Sequence, residues 1–192
     1  MRVLGIEGTA WAASAALYDD AEENVFIESD PYLPDSGGLH PREAAEHMGE
    51  ALPEVIRTVL RHAAETADVS LDPDHSVDGD RSDVDSNSGA VDTDTNPYGI
   101  DAVAFSRGPG LGPCLRTVGT AARAAAQRLD VPLVGVNHMV AHLEIGRHQS
   151  GFESPVCLNA SGANAHLLGF HNGRYRVLGE TMDTGVGNAI DK

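Results

Sequence analysis

The apolar positions of this chain change period several times, and each change marks an element. Arg2 to Ile6 reads as a buried strand, Glu7-Gly8-Thr9 as a tight connection, and Ala12 to Tyr18 as a second strand ending at the Asp19-Asp20 turn. Val25 to Ser29 gives a third strand. From Pro41 the period becomes helical, with Ala44, Ala45, Met48, Leu52, Val55, Ile56, Val59 and Leu60 on one stripe and Pro53 predicting a kink. The pattern then lapses between Ala67 and Gly99, where Asp recurs among Ser, Gly and Asn, a composition that predicts a disordered insertion. Beyond it the pattern predicts a strand over Ile100 to Phe105, a Gly/Pro loop, an Ala-rich helix over Cys114 to Leu129, a strand over Val131 to Val136, and a short helix over His138 to Arg147. Pro155 to Ala160, Ala165 to Phe170 and Arg174 to Gly179 look like hairpin strands.

Three hairpin-linked strands, a helix, and then strands joined by crossover helices predict a mixed sheet with helices on its faces. That is a ribonuclease-H-like lobe, expected over residues 1–150 with the acidic insertion at 67–99. The return to hairpin strands over residues 151–192 predicts a second lobe restarting the same pattern, as in the duplicated α/β architecture of actin, hexokinase and the heat-shock chaperone ATPase, and cut off before completion.

Charge changes the picture of the surroundings. The net charge is -16, and the cations are arginines apart from Lys192, the only lysine. Strong acidity with little lysine suits a salt-adapted organism, because the Debye length shrinks to about 3 Å at 1 M salt. The same charge argues against generic nucleic-acid binding, which shows a basic footprint. No apolar run has the length of a membrane helix, and the N-terminus lacks a secretion-signal pattern, so a cytoplasmic, membrane-free protein is expected. Cys114 and Cys157 form no CxxC pair and read as free thiols.

Candidate chemistry clusters in four places. His138 and His142 stand at i and i+4, which puts two imidazoles on one helix face and suits a shared divalent metal. A zinc-protease pattern requires Glu beside the first His, and Met139 stands there. No carboxylate near this helix in sequence completes the set. Gly8 and Thr9, in the turn Gly5 to Ala10, offer backbone amides and a hydroxyl to a phosphate, although an ordinary hairpin turn has the same composition. Ser161 to Ala165 repeats that character between the later strands, so two such turns would clamp one nucleotide. The loop Ser106 to Arg116 lacks both the third glycine of a dinucleotide fingerprint and the Lys of a P-loop, which leaves a rigid loop beside a site or a tight strand-to-helix turn.

Taken in order, GIEGTA at 5–10, PREAAEH at 41–47, FSRGPGLGPCLR at 105–116, GVNHMVAHLEIGR at 135–147 and ETMDTGVGNAIDK at 180–192 closely resemble the universal tRNA threonylcarbamoyltransferase family. The likeness is nearest to its archaeal branch, the catalytic subunit of the KEOPS complex. It implies an enzyme that moves threonylcarbamoyl from threonylcarbamoyl-AMP to the adenosine 3′ of the tRNA anticodon. By motif position His138 and His142 resemble the ligands of one iron or zinc ion. Gly8, Thr9, Asn159, Ala160, Ser161, Gly162 and Ala163 are similar to the stretches that bind ATP or threonylcarbamoyl-AMP, and Asp183 to an acidic substrate contact. The sequence departs from the family where Asn159-Ala160-Ser161-Gly162-Ala163-Asn164 replaces a Tyr- or Val-containing strand and SGGN. The resemblance further implies tRNA as partner, with an atypical kinase and other KEOPS subunits, the kinase sometimes fused downstream. A remaining carboxylate ligand is expected beyond Lys192, so the 192 residues alone are expected to bind metal poorly and be inactive. A metalloprotease, the older description of the family, and a noncatalytic lobe that binds ATP or a partner stay as alternatives.

Overall fold

The computed structural model describes residues 1–22, 24–35, 37–67, 96–160 and 165–181. Strands β1 (Arg2–Glu7), β2 (Ala12–Asp19) and β3 (Asn24–Pro31) form a meander, followed by α1 (Pro41–Thr66), β4 (Ala102–Gly108), α2 (Gly112–Leu129), β5 (Leu133–Asn137) and α3 (His138–Ser150). The five strands make one sheet in the order β3-β2-β1-β4-β5, antiparallel within the meander and parallel from β1 through β4 to β5. This is the mixed ribonuclease-H-like sheet that the pattern predicts.

Its core follows from register. Leu4 pairs with Leu17 on one side and Val103 on the other, and Ile6 pairs with Ala15, so all of these point to one face. That face is closed by Met48, Leu52, Val55 and Val59 of α1 and by Cys114, Val118 and Ala122 of α2, all buried. The opposite face is floored by small residues, Gly5 flanked by Ala16 and Ala104, and there α3 lies over the sheet. Helix α1 is assigned without a break through Pro53, so the expected kink does not interrupt it.

A second sheet of three antiparallel strands follows, β6 (Val156–Ala160), β7 (Ala165–His171) and β8 (Arg174–Glu180). Among the described residues its strands touch the rest of the chain chiefly through α3.

Two boundaries differ from expectation. Most of the acidic insertion lies outside the described residues, but its last part belongs to the fold: Asn96 Nδ2 donates to the Ile100 carbonyl at 2.6 Å, and Tyr98 packs against the core. Arg2 explains the anchorage. Its Nη1 donates to the carbonyls of both Ala63, at 3.1 Å, and Tyr98, at 2.7 Å, its Nη2 donates to Thr66 Oγ1, and its Nε pairs with Asp19 at 3.1 Å. The strands β4 and β5 also run further toward their C-terminal ends than the apolar pattern marks, to Gly108 and Asn137, and it is those ends that carry the site.

Candidate functional site

Where β5 stops, Asn137 adopts an extended backbone and its Oδ1 accepts from the amides of Met139 and Val140, at 2.9 and 3.2 Å. This N-cap satisfies amides that the first helical turn leaves without partners, and it fixes where α3 begins. His138 is therefore the first residue of the helix and His142 sits one turn on. The two Nε2 atoms face each other at 3.1 Å, with the rings edge to face at 4.4 Å between centroids.

The other nitrogen of His138 has a partner that sequence proximity does not reveal. Glu7, at the end of β1, places Oε2 3.1 Å from His138 Nδ1 and uses Oε1 to accept from the amides of Gly8 and Thr9, at 2.9 and 2.6 Å. Thr9 Oγ1 stands 3.5 Å from the same Nδ1. Burial pushes the Glu7 carboxyl up, but hydrogen bonds from Ser106, from Thr9 and from His138 outweigh it and hold the group below the ordinary carboxylate range. An ionised Glu7 accepts the Nδ1 proton, which leaves the lone pair of His138 on Nε2.

The Gly/Pro loop has a job in holding this turn. Leu111 N donates to the Thr9 carbonyl at 2.8 Å, and a Cβ added at Gly110 would stand 2.7 Å from Thr9 Cβ and 2.8 Å from its carbonyl oxygen. Only glycine permits that approach. Gly8 is equally confined, since a Cβ there would lie 2.7 Å from Val118 Cγ2.

The residues present fit a divalent ion of the iron or zinc type as far as they go. Imidazole nitrogens bind such ions at about 2.0–2.1 Å, so two ligands of one ion stand about 3 to 3.5 Å apart, which is the separation of the two Nε2 atoms. The carboxylate behind His138 is the support that metal-bound histidines use. Among the described residues no group of three His, Cys, Asp or Glu side chains converges.

Of the other expected site residues, Asn159 and Ala160 line a cavity of about 320 Å³ together with His138, Met139 and His142. Asn159 Nδ2 approaches Met139 Sδ at 3.6 Å. A second cavity of about 410 Å³ reaches the same histidines from the first sheet, over Gly5, Glu7 and Ala104. The pair thus borders both cavities. Ser161, Gly162, Ala163 and Asp183 lie outside the described residues.

Against known proteins, residues 90–192, more than half of the chain, match the family described as TsaD, tRNA N6-adenosine threonylcarbamoyltransferase. The chain belongs to this family. A probable bifunctional tRNA threonylcarbamoyladenosine biosynthesis protein of Haloquadratum walsbyi is 66% identical over the whole chain, which spans 31% of that relative's length. The tRNA N6-adenosine threonylcarbamoyltransferase of Methanocella arvoryzae is 49% identical, again over the whole chain and 48% of its own length. Among solved structures, YeaZ from Pseudomonas aeruginosa superposes with a TM-score of 0.52 at 17% identity, over 94% of this chain and 66% of YeaZ, a likeness of fold. Within the TsaD family motif, the His138 and His142 of this chain are the two residues whose geometry most resembles a metal pair. No described helix is long and apolar enough to cross a membrane.

Proposed function

We propose that this chain supplies the metal-holding part of a tRNA N6-adenosine threonylcarbamoyltransferase, which moves threonylcarbamoyl from threonylcarbamoyl-AMP to the adenosine 3′ of the anticodon. The observation that carries the reading is the pair of facing Nε2 atoms, 3.1 Å apart, with Glu7 behind His138. Residues 1–150 form one lobe in this reading and 151–192 begin a second.

His138 and His142 hold one iron or zinc ion, which when bound supplies a Lewis acid for the carbamoyl oxygen. Glu7 keeps His138 in the tautomer that leaves Nε2 unprotonated, and it holds the Gly8-Thr9 turn in shape through both amides. Gly8 and Thr9 on the first sheet, and Asn159, Ala160, Ser161, Gly162 and Ala163 on the second, grip the nucleotide portion of ATP or threonylcarbamoyl-AMP, while Asp183 contacts the substrate. Held there, the carbamoyl carbon is open to the exocyclic amine of adenosine: the bond from N6 to carbon forms, the bond from carbon to the phosphate oxygen breaks, and AMP leaves as N6 gives up a proton. Positioning carries this chemistry, and it needs no covalent intermediate on the enzyme.

The protein works in the cytoplasm with tRNA, an atypical kinase and other KEOPS subunits, which compensate for its acidic surface. A protease reading gains nothing from the geometry. Met139 stands where the general base belongs, and Glu7 is engaged by His138 and two amides.

The test is threonylcarbamoyl transfer to tRNA by the complete protein with its partner subunits in high salt, for the wild type and the double substitution His138→Ala/His142→Ala. Loss of modification by two orders of magnitude or more, on the scale expected when acting groups are removed, is the expected result in a variant that still folds. Undiminished transfer would return both histidines to a structural role and favour a noncatalytic lobe.

A further inference from the structure

Helix α3 carries the histidine pair on the side that faces β1 and β4, and its other side carries a separate cluster. Arg147 donates to Glu144 Oε2 from both Nε, at 3.0 Å, and Nη2, at 2.7 Å, and its guanidinium carbon lies 4.6 Å above the centroid of Phe170 on β7. Phe170 in turn packs against Tyr175 of β8, at 4.9 Å between ring centroids. The Tyr175 hydroxyl is buried and finds no partner of full hydrogen-bond geometry among the described residues. Burial and the neighbouring Glu144 carboxylate push it up to about 12, so it stays a neutral phenol that lends its electrostatic support to Glu144.

The position of this cluster gives it leverage. The N-terminal end of α3 is pinned by the Asn137 cap, but a cap fixes where a helix starts and not how its far end is rotated. Arg147 is nine residues beyond His138, or two and a half turns at about 3.6 residues per turn, and so lies on the side of α3 away from the histidines. A guanidinium held by a carboxylate and stacked on a ring has its plane fixed from two directions, which a lysine in the same place would not achieve. An imidazole nitrogen lies roughly 6 Å from a helix axis, so a rotation of about 10° moves it by about 1 Å, a displacement that an exact ligand pair does not tolerate.

We propose that Arg147 is a positioning residue for the histidine pair: its contacts with Glu144 and Phe170 lock the rotation of α3 against the second sheet and so aim His138 toward Glu7 and His142. The proposal rests on reading His138 and His142 as a metal pair only for its consequence in binding. The aiming itself is a property of the metal-free protein.

The experiment uses the complete protein with selectively labelled histidines. Contact between the His138 and His142 rings is read from their nuclear Overhauser effect without metal, and zinc affinity from titration with zinc alone, in the wild type and in Arg147→Ala, Arg147→Lys and Phe170→Leu. The expected result is a weakened ring contact and zinc binding reduced about tenfold or more in Arg147→Ala, on the scale of outer-sphere supports. Arg147→Lys should fail to restore either, and Phe170→Leu, which keeps the charge, should show a smaller loss of the same kind. Unchanged ring contact in both Arg147→Ala and Phe170→Leu overturns the proposal. A ring contact that falls in the variants, in a protein whose wild type binds no zinc, upholds the positioning and sinks the metal reading instead. Should Arg147→Ala not fold, the ring contact in Arg147→Lys and Phe170→Leu decides in the same way.

Discussion

The two sheets of this molecule have similar strand sequences and very different surroundings. In the first, alternating residues of β1, β2 and β4 meet α1 and α2, and Leu4 and Val103 are fully buried. In the second, Val156, Leu158, Leu167 and Leu178 are just as apolar, and Leu158 is 68% exposed. Alternation therefore fixes that a segment is a strand, but burial depends on what arrives on its face. The first sheet obtains two helices from the intervening sequence, whereas the second, within the described residues, obtains part of one.

The largest effect that can break this contrast is expected at Leu4. Leu4→Ala should cost about 2–5 kcal/mol, the range for a large core residue truncated to alanine, read as a lowered denaturant midpoint. A loss below about 1 kcal/mol would mean that the first core is no better packed than the second sheet. A smaller effect is expected at Glu7. Its carboxyl lies lower in the folded chain than in the unfolded one, so the stability it adds is complete above the ordinary carboxylate range and is lost as pH falls through the lowered value. Thermal unfolding of wild type and Glu7→Gln should thus differ at neutral pH, by about 1 kcal/mol or less because the group is partly exposed, and converge in acid. A difference that grows toward acid would contradict the assigned direction. The smallest is expected at Leu158, where Leu158→Ser should move the stability of the 192-residue chain by no more than about 0.5 kcal/mol, as for other exposed positions. A loss of several times that amount would show that the exposed face is covered.

The same contrast explains what the sequence revealed. The five-stranded lobe was legible because its periods are long and clear, and α1 and the His138 to His142 spacing follow from local rules. Glu7 was not legible as a partner, because 131 residues separate it from His138 and only the parallel pairing of β1, β4 and β5 brings them together. In sequence it was read as part of a turn valued for its amides, and those amides turn out to be bound by Glu7 itself. The Gly/Pro loop was ambiguous for the same reason, since its contact is with Thr9 rather than with a neighbour in sequence. The acidic insertion was drawn a few residues too long, because Asn96 and Tyr98 are held by groups from the other end of the lobe.

Arg2 gives that last detail a wider meaning. By holding the Ala63 and Tyr98 carbonyls with one nitrogen, it fastens the two mouths of the intervening segment to the same point. Once the mouths are fastened, the entropy of closing the loop grows only with the logarithm of its length, about 0.6 kcal/mol for each doubling. A single guanidinium thereby frees evolution to lengthen, shorten or recharge that stretch at almost no thermodynamic expense to the lobe beneath it.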